Sequence, residues 1–295
     1  MTKSKGIGQP VRRKEDARLV VGAGCFSDDV DLPRQARAFV IRSVHAHARI
    51  KAIDSTHAKA LRGVLVVLTG ADYKADGGKP IPPDPSLTTP AETQRAFPDV
   101  VLVNRDGPVV PTSYYPLAVG KVHYVGEAVV LVVAETLAIA KDAAELVEID
   151  YEPLPAVIDT AQAAEADAPR LRDPPRSNVI LDADIGDAVA TERAFAAAAH
   201  VVRLKTWVQR VTGVPMEARA AVGSYDRQSG RYFLHAGSGG VVRQKGELAG
   251  MLGVPLDSVH VVALDIGGNF GTKNSIFPEF PLVLWASRRI GRPVK

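Results

Sequence analysis

The sequence predicts an α+β protein built of two units, and three observations carry that reading. A strand–helix–strand pattern occurs twice within residues 1–155. An Ala-, Asp- and Pro-rich stretch at residues 156–176 has little core-forming power and separates the halves. A glycine-rich loop at residues 265–274, Asp265-Ile266-Gly267-Gly268-Asn269-Phe270-Gly271-Thr272-Lys273-Asn274, lies between an apolar strand pattern and a helical one. The division is therefore 1–155, a linker at 156–176, and a second unit at 177–295.

In chain order, residues 6–31 read as an extended arm of alternating charge with a turn at Gly22 to Gly24. Residues 38–43 read as a strand. His45 and His47, two positions apart, would share a strand face and could pair on a metal. No third ligand stands nearby and Arg49 would repel a cation, so hydrogen-bonded histidines at a strand start are the preferred reading, and no metal set is assigned. Asp54-Ser55-Thr56 caps a short helix ending at Gly63. Residues 64–68 form a continuous apolar run, the pattern of a buried strand. Residues 76–99 read as a long loop. Residues 127–133 are a second buried strand, and Thr136 opens a helix. Asp187 is the candidate cap of a short helix at 188–197.

The second unit begins with residues 201–208, whose period-2 alternation predicts a strand. Residues 218–225 and 231–236 form a hairpin. Gly237 to Gly240 open a helix that runs to Leu252 and stops at Gly253. Residues 259–264 are the strand feeding the glycine loop. The last helix, 277–290, carries Pro278 and Pro281 in its first turn, where missing N–H groups cost little. Residues 293–295 begin a strand with no partner yet in view.

Length and composition exclude several classes. The chain has 295 residues and a net charge of +3, too small and too evenly spread for a nucleic-acid partner. No apolar run reaches the roughly 18 residues that span a bilayer. The N-terminus lacks an apolar secretory core, so a cytoplasmic location is expected. Cys25 is the sole cysteine, which excludes an intrachain disulfide or an all-Cys iron–sulfur cluster held by this chain alone. It reads as a buried small residue. The loop itself fits neither a Walker motif nor Gly-x-Gly-x-x-Gly. Its glycines allow backbone N–H groups to approach something anionic or oxygen-rich.

Several stretches together resemble one family. They are Arg12-Arg13-x-Glu15-Asp16-x-Arg18-Leu19 with Gly22-x-Gly24-x-Phe26; Arg42-Ser43-x-His45-Ala46-His47-Ala48-Arg49-Ile50; Gly126-Glu127-Ala128-Val129; Ile149-Asp150-Tyr151-Glu152-Pro153-Leu154-Pro155; Gln209-Arg210 with Pro215-Met216-Glu217-x-Arg219-Ala220; and the loop at 265–273. In this order they resemble the molybdopterin-binding large subunits of molybdenum hydroxylases, the carbon monoxide dehydrogenase, aldehyde oxidase and xanthine dehydrogenase type. The resemblance implies an a/b hammerhead domain at 1–155 and the N-terminal part of a molybdopterin-binding domain at 177–295.

It also implies hydroxylation of a carbon centre in an N-heteroaromatic, an aldehyde or carbon monoxide, with oxygen from water. The cofactor implied is molybdenum-molybdopterin, as the cytosine dinucleotide, shared with a second molybdopterin-subunit fragment. Iron–sulfur clusters and FAD would sit on partner subunits, none on this chain. By resemblance Gly267, Gly268, Asn269, Phe270 and Gly271 lie against the cofactor. Phe270 forms substrate wall, and the Gln209 amide stands near the metal.

Departures are expected to matter. Asn269 stands where most relatives have a third glycine, adding bulk beside the cofactor. Gly239 stands where relatives often have glutamine. Asn274 replaces the glutamate of the xanthine-oxidising branch, which argues against purine oxidation. Family large subunits are more than twice as long, so this chain alone is expected to be inactive. A non-catalytic assembly subunit, or a truncated remnant without cofactor, is the alternative.

Overall fold

The computed structural model describes residue 8 and residues 10–83, 112–172, 177–184 and 186–295. Most of the loop expected at 76–99 lies outside the described residues, as do parts of the arm and of the linker. The described elements are α1 (Asp16–Leu19), β1 (Arg37–Arg42), β2 (Ala48–Asp54), α2 (Thr56–Ala60), β3 (Val64–Thr69), α3 (Gly70–Ala75), β4 (Lys121–Val122), β5 (Ala128–Ala134), α4 (Leu137–Glu145), β6 (Glu148–Pro153) and α5 (Thr160–Ala163). They continue as α6 (Ala188–Ala197), β7 (Ala221–Asp226), β8 (Arg231–Ala236), α7 (Val241–Leu252), β9 (Val259–Val262) and α8 (Glu279–Ile290).

Two β–α–β units, β2–α2–β3 and β5–α4–β6, each cross between the same two sheets. Strand order is β1-β5-β3 in one sheet and β4-β2-β6 in the other. β5 lies in the middle because all seven of its residues are apolar and buried. Its side chains serve two cores: Leu131 and Val133 face one cluster, while Val130 and Val132 face another. Thr136 caps α4 by accepting the Ile139 N–H, and Asp187 caps α6 by accepting the Ala190 N–H. Gly253 and Gly291 end α7 and α8 in the left-handed conformation.

The third sheet, β7-β8-β9, packs against α8, which is buried from Phe280 to Ser287. Val294 stitches this sheet to the first. It pairs in parallel with Ala36 and antiparallel with Gly223, and is fully buried. The strand begun at 293–295 therefore has partners on both sides. Asp76, just after α3, reinforces the junction. Its carboxylate accepts from Trp285 Nε1 at 2.7 Å and from Arg289 at 2.6 and 2.8 Å.

Three expectations are corrected. Residues 201–208 form no strand. The alternation is present, but Val202, Leu204, Trp207 and Val208 are each at least 79% exposed, and no described strand offers them an edge. The arm is not extended throughout, since Asp16–Leu19 make a helical turn. Cys25 is exposed; its backbone N–H and carbonyl oxygen both bond Asp265. The histidines stand at the start of β2, in accord with the preferred reading. His47 Nδ1 meets the Pro155 carbonyl oxygen at 2.7 Å, and the His45 ring lies against Tyr151. No group of three or more metal-ligating side chains occurs among the described residues.

Candidate cofactor-binding loop

β9 ends at Val262 and α8 begins at Glu279, so the glycine-rich segment joins a parallel edge strand to a buried helix. Three of its residues have left-handed backbone: Gly268 at φ 104°, Phe270 at 49° and Gly271 at 80°. For Phe270 that conformation is costly, by roughly 1 kcal/mol or more, and the surrounding bonds must hold it. The Asn269 carbonyl does so by accepting both the Thr272 N–H at 2.9 Å and Thr272 Oγ1 at 2.7 Å. Asn269 Oδ1 accepts the Lys273 N–H at 2.8 Å.

Two acids anchor the loop from outside. The Glu217 carboxylate meets Lys273 Nζ at 2.5 Å and accepts N–H groups from Gly267 at 2.9 Å and Ser27 at 3.3 Å. Burial pushes the Glu217 carboxyl up. Lys273 and the two backbone donors together outweigh it and hold the group below the usual glutamate value. Asp265 is gripped by both terminal nitrogens of Arg18 and by the Cys25 N–H at 2.8 Å. Arg18 first, then the Cys25 N–H, bring it down to about 2. The arm thus lies along the loop, and a cleft of about 660 Å³ opens between them, lined by Arg13, Phe26, Asp265, Ile266, Gly267 and Gly268.

The glycines are spatial requirements as well as conformational ones. A Cβ at Gly267 would stand 2.6 Å from Glu217 Cβ, and one at Gly268 would stand 3.2 Å from Pro215 Cβ. The Pro215-Met216-Glu217 segment and the loop are thereby brought together. Gly213 also touches the loop, its Cβ position lying 2.9 Å from Phe270 Cβ. Gln209, four residues further back, is exposed and makes no hydrogen bond among the described residues. The structure therefore gathers Gly267, Gly268, Asn269, Phe270 and Gly271, leaving Gln209 outside their network. Phe270 projects outward, 76% exposed. Sequence reasoning quoted Glu217, Arg18 and Asp265 in motifs but assigned them no role. Their partners are 56 and 247 residues away, so no local spacing could reveal them.

An α+β chain with a glycine-rich strand-to-helix turn, left-handed at 268, 270 and 271, belongs to the class whose backbone suits an anionic or oxygen-rich group. Comparison with known proteins gives the family. The aldehyde oxidase and xanthine dehydrogenase a/b hammerhead domain matches residues 21–100 and 97–155, and the molybdopterin cofactor-binding domain matches residues 172–295. The chain belongs to the molybdenum hydroxylase large-subunit family.

The 6-hydroxypseudooxynicotine dehydrogenase complex subunit gamma of Paenarthrobacter nicotinovorans is 36% identical over 98% of this chain and 34% of its own length. The carbon monoxide dehydrogenase large chain of Afipia carboxidovorans is 35% identical over 99% of this chain and 35% of its own. The crystal structure of quinoline 2-oxidoreductase from Pseudomonas putida 86 superposes with a TM-score of 0.81 at 34% identity, covering 99% of this chain and 34% of that one. The chain spans about a third of the length of the relatives it matches.

Proposed function

We propose that this chain forms the part of a molybdenum hydroxylase large subunit that receives one side of the molybdenum–molybdopterin cofactor. The observation that carries this is a row of unspent donors. Among the described residues, the backbone N–H groups of Gly268, Asn269, Phe270 and Gly271 make no hydrogen bond. Four successive free N–H groups, in a turn with left-handed backbone at 268, 270 and 271, suit an anionic group, so the residues fit an oxygen-rich cofactor.

When bound, that group supplies the two-electron oxidation of a carbon centre with oxygen derived from water. The chain's own residues bind and orient. The N–H groups of 268–271 donate to the cofactor's oxygens, with Gly267 and Gly268 kept small so that Glu217 and Pro215 can back the turn. Phe270, outward-facing and apolar, forms wall for a small substrate: an N-heteroaromatic, an aldehyde or carbon monoxide. Gln209, in the largely exposed segment at 201–216, would stand near the metal once a partner covers that segment. That partner is a second molybdopterin-subunit fragment sharing the cofactor, with iron–sulfur and FAD subunits receiving electrons. The cytosine dinucleotide form of the cofactor, a cytoplasmic location, and a division into 1–155 and 177–295 about the linker belong to the same reading.

The test is metal analysis of the chain purified from its native host with whatever accompanies it. About one molybdenum per complex, together with pterin and a second large-subunit fragment, is the expected result. A stable chain repeatedly free of molybdenum would overturn the proposal and leave an assembly role.

A further inference from the structure

Two asparagines of the glycine loop meet in space. Asn269 Nδ2 donates to Asn274 Oδ1 at 2.8 Å, and this amide pair sits directly over Gly239. A Cβ at 239 would lie 2.0 Å from Asn274 Oδ1 and 2.3 Å from Asn269 Nδ2. The pair therefore fills the volume into which any side chain at 239 would project. Gly239 is also bound to the loop through its own N–H, which donates to the Lys273 carbonyl at 2.8 Å. Asn269 makes the turn self-closing. Its side chain spans from the Lys273 N–H on Oδ1 to Asn274 on Nδ2, while its carbonyl takes both donors of Thr272. Its bulk is thus folded back into the loop.

A glycine at 269 would lose both side-chain bonds, leaving the left-handed turn at Phe270 and Gly271 with the Thr272 bonds alone to close it. Asn274 is exposed, so its Nδ2 is open to a ligand from solvent.

We propose that Asn269 and Asn274, seated together over Gly239, form one positioning unit that presets the free N–H groups of residues 268–271 for an oxygen-rich ligand, and that Gly239 is required because it makes room for the pair. The ligand identity rests on the molybdenum–pterin reading above; the coupling among the three residues does not. Gly239→Ala opens the amide pair without attacking the fold, because the atoms it strikes are the mobile ends of two side chains. Asn269→Gly with Asn274→Ala removes the pair altogether.

The experiment compares the native-host complex carrying Gly239→Ala, the Asn269→Gly/Asn274→Ala double variant, and all three changes. Two readouts are taken: hydrogen exchange at the Thr272 and Lys273 N–H groups, and molybdenum per chain. Gly239→Ala is expected to speed exchange at the Thr272 and Lys273 N–H groups, which Asn269 binds, about tenfold, equivalent to ~1.4 kcal/mol of lost local protection, and to lower molybdenum content. Adding Gly239→Ala to the double variant is expected to change neither readout further. Equal effects of Gly239→Ala in both backgrounds, or no effect in the first, would overturn the proposal. If the unaltered complex holds no molybdenum, the cofactor reading fails by itself, and the exchange cycle still decides whether the three residues act as a unit.

Discussion

Lys273 and Glu217 form an ion pair at 2.5 Å with both side chains nearly out of solvent, 4% and 8% exposed. The pair ties the glycine loop to the segment that follows Gln209. Removing one partner leaves an uncompensated buried charge, so Glu217→Ala is expected to cost about 3 kcal/mol of stability. Denaturant unfolding checks this; an unchanged midpoint would count against the pair as an anchor. Lys273→Met leaves Glu217 with only its two backbone donors, so its carboxyl moves up. The stability contributed by Glu217 is present above the unfolded value and is lost as pH falls through the depressed folded one. In Lys273→Met that loss begins at higher pH, which a series of melts across acidic pH would register.

Asp265 carries the clearest acid-range signature. Its folded value of about 2 lies below its unfolded value of 3.8, so its contribution is complete above about pH 4 and disappears as pH falls towards 2. Asp265→Asn is expected to flatten the pH dependence of stability in that window. It also loosens the arm, because the same carboxylate holds Arg18 and the Cys25 N–H. Trypsin should then cut after Arg18 faster than in the unaltered chain. Equal cutting rates would argue that the arm is held elsewhere.

Gly267→Ala tests close approach. Its Cβ would meet Glu217 Cβ at 2.6 Å and the Glu217 backbone nitrogen at 3.3 Å, atoms fixed by the ion pair. Overpacking of this kind costs about 1–3 kcal/mol. A thermal melt reads the loss, and a neutral substitution would show that the Pro215-Met216-Glu217 segment yields readily.

Asp76→Ala should loosen the seam between the end of α3 and α8. It removes three hydrogen bonds, from Trp285 Nε1 and from two nitrogens of Arg289. Arg289, the main cause, holds the Asp76 carboxyl below its ordinary value. Loss of these charge-assisted bonds is expected to cost about 2 kcal/mol. Trp285 fluorescence should report the change directly, and an unaltered emission would contradict a seam role.

The sequence by itself determined the elements whose signals are local. The run at 127–133 specified a buried strand, found at Ala128–Ala134. Thr136 and Asp187 marked helix starts, and Gly253 marked a helix end. All of these act within one turn or one strand, and the structure bears them out. The glycine loop was likewise legible as a strand-to-helix turn. Tertiary structure alone decided what holds it. Glu217 reaches Lys273, and Arg18 reaches Asp265, only because the chain folds back over 56 and 247 residues.

Tertiary structure also decided against a strand at 201–208, whose alternation is real but unpaired, and in favour of Val294 as the stitch between Ala36 and Gly223. The physical reason is common to these cases. Propensity and capping depend on neighbours in sequence, whereas strand pairing, ion pairing and the volume over Gly239 depend on which distant atoms arrive at the same place.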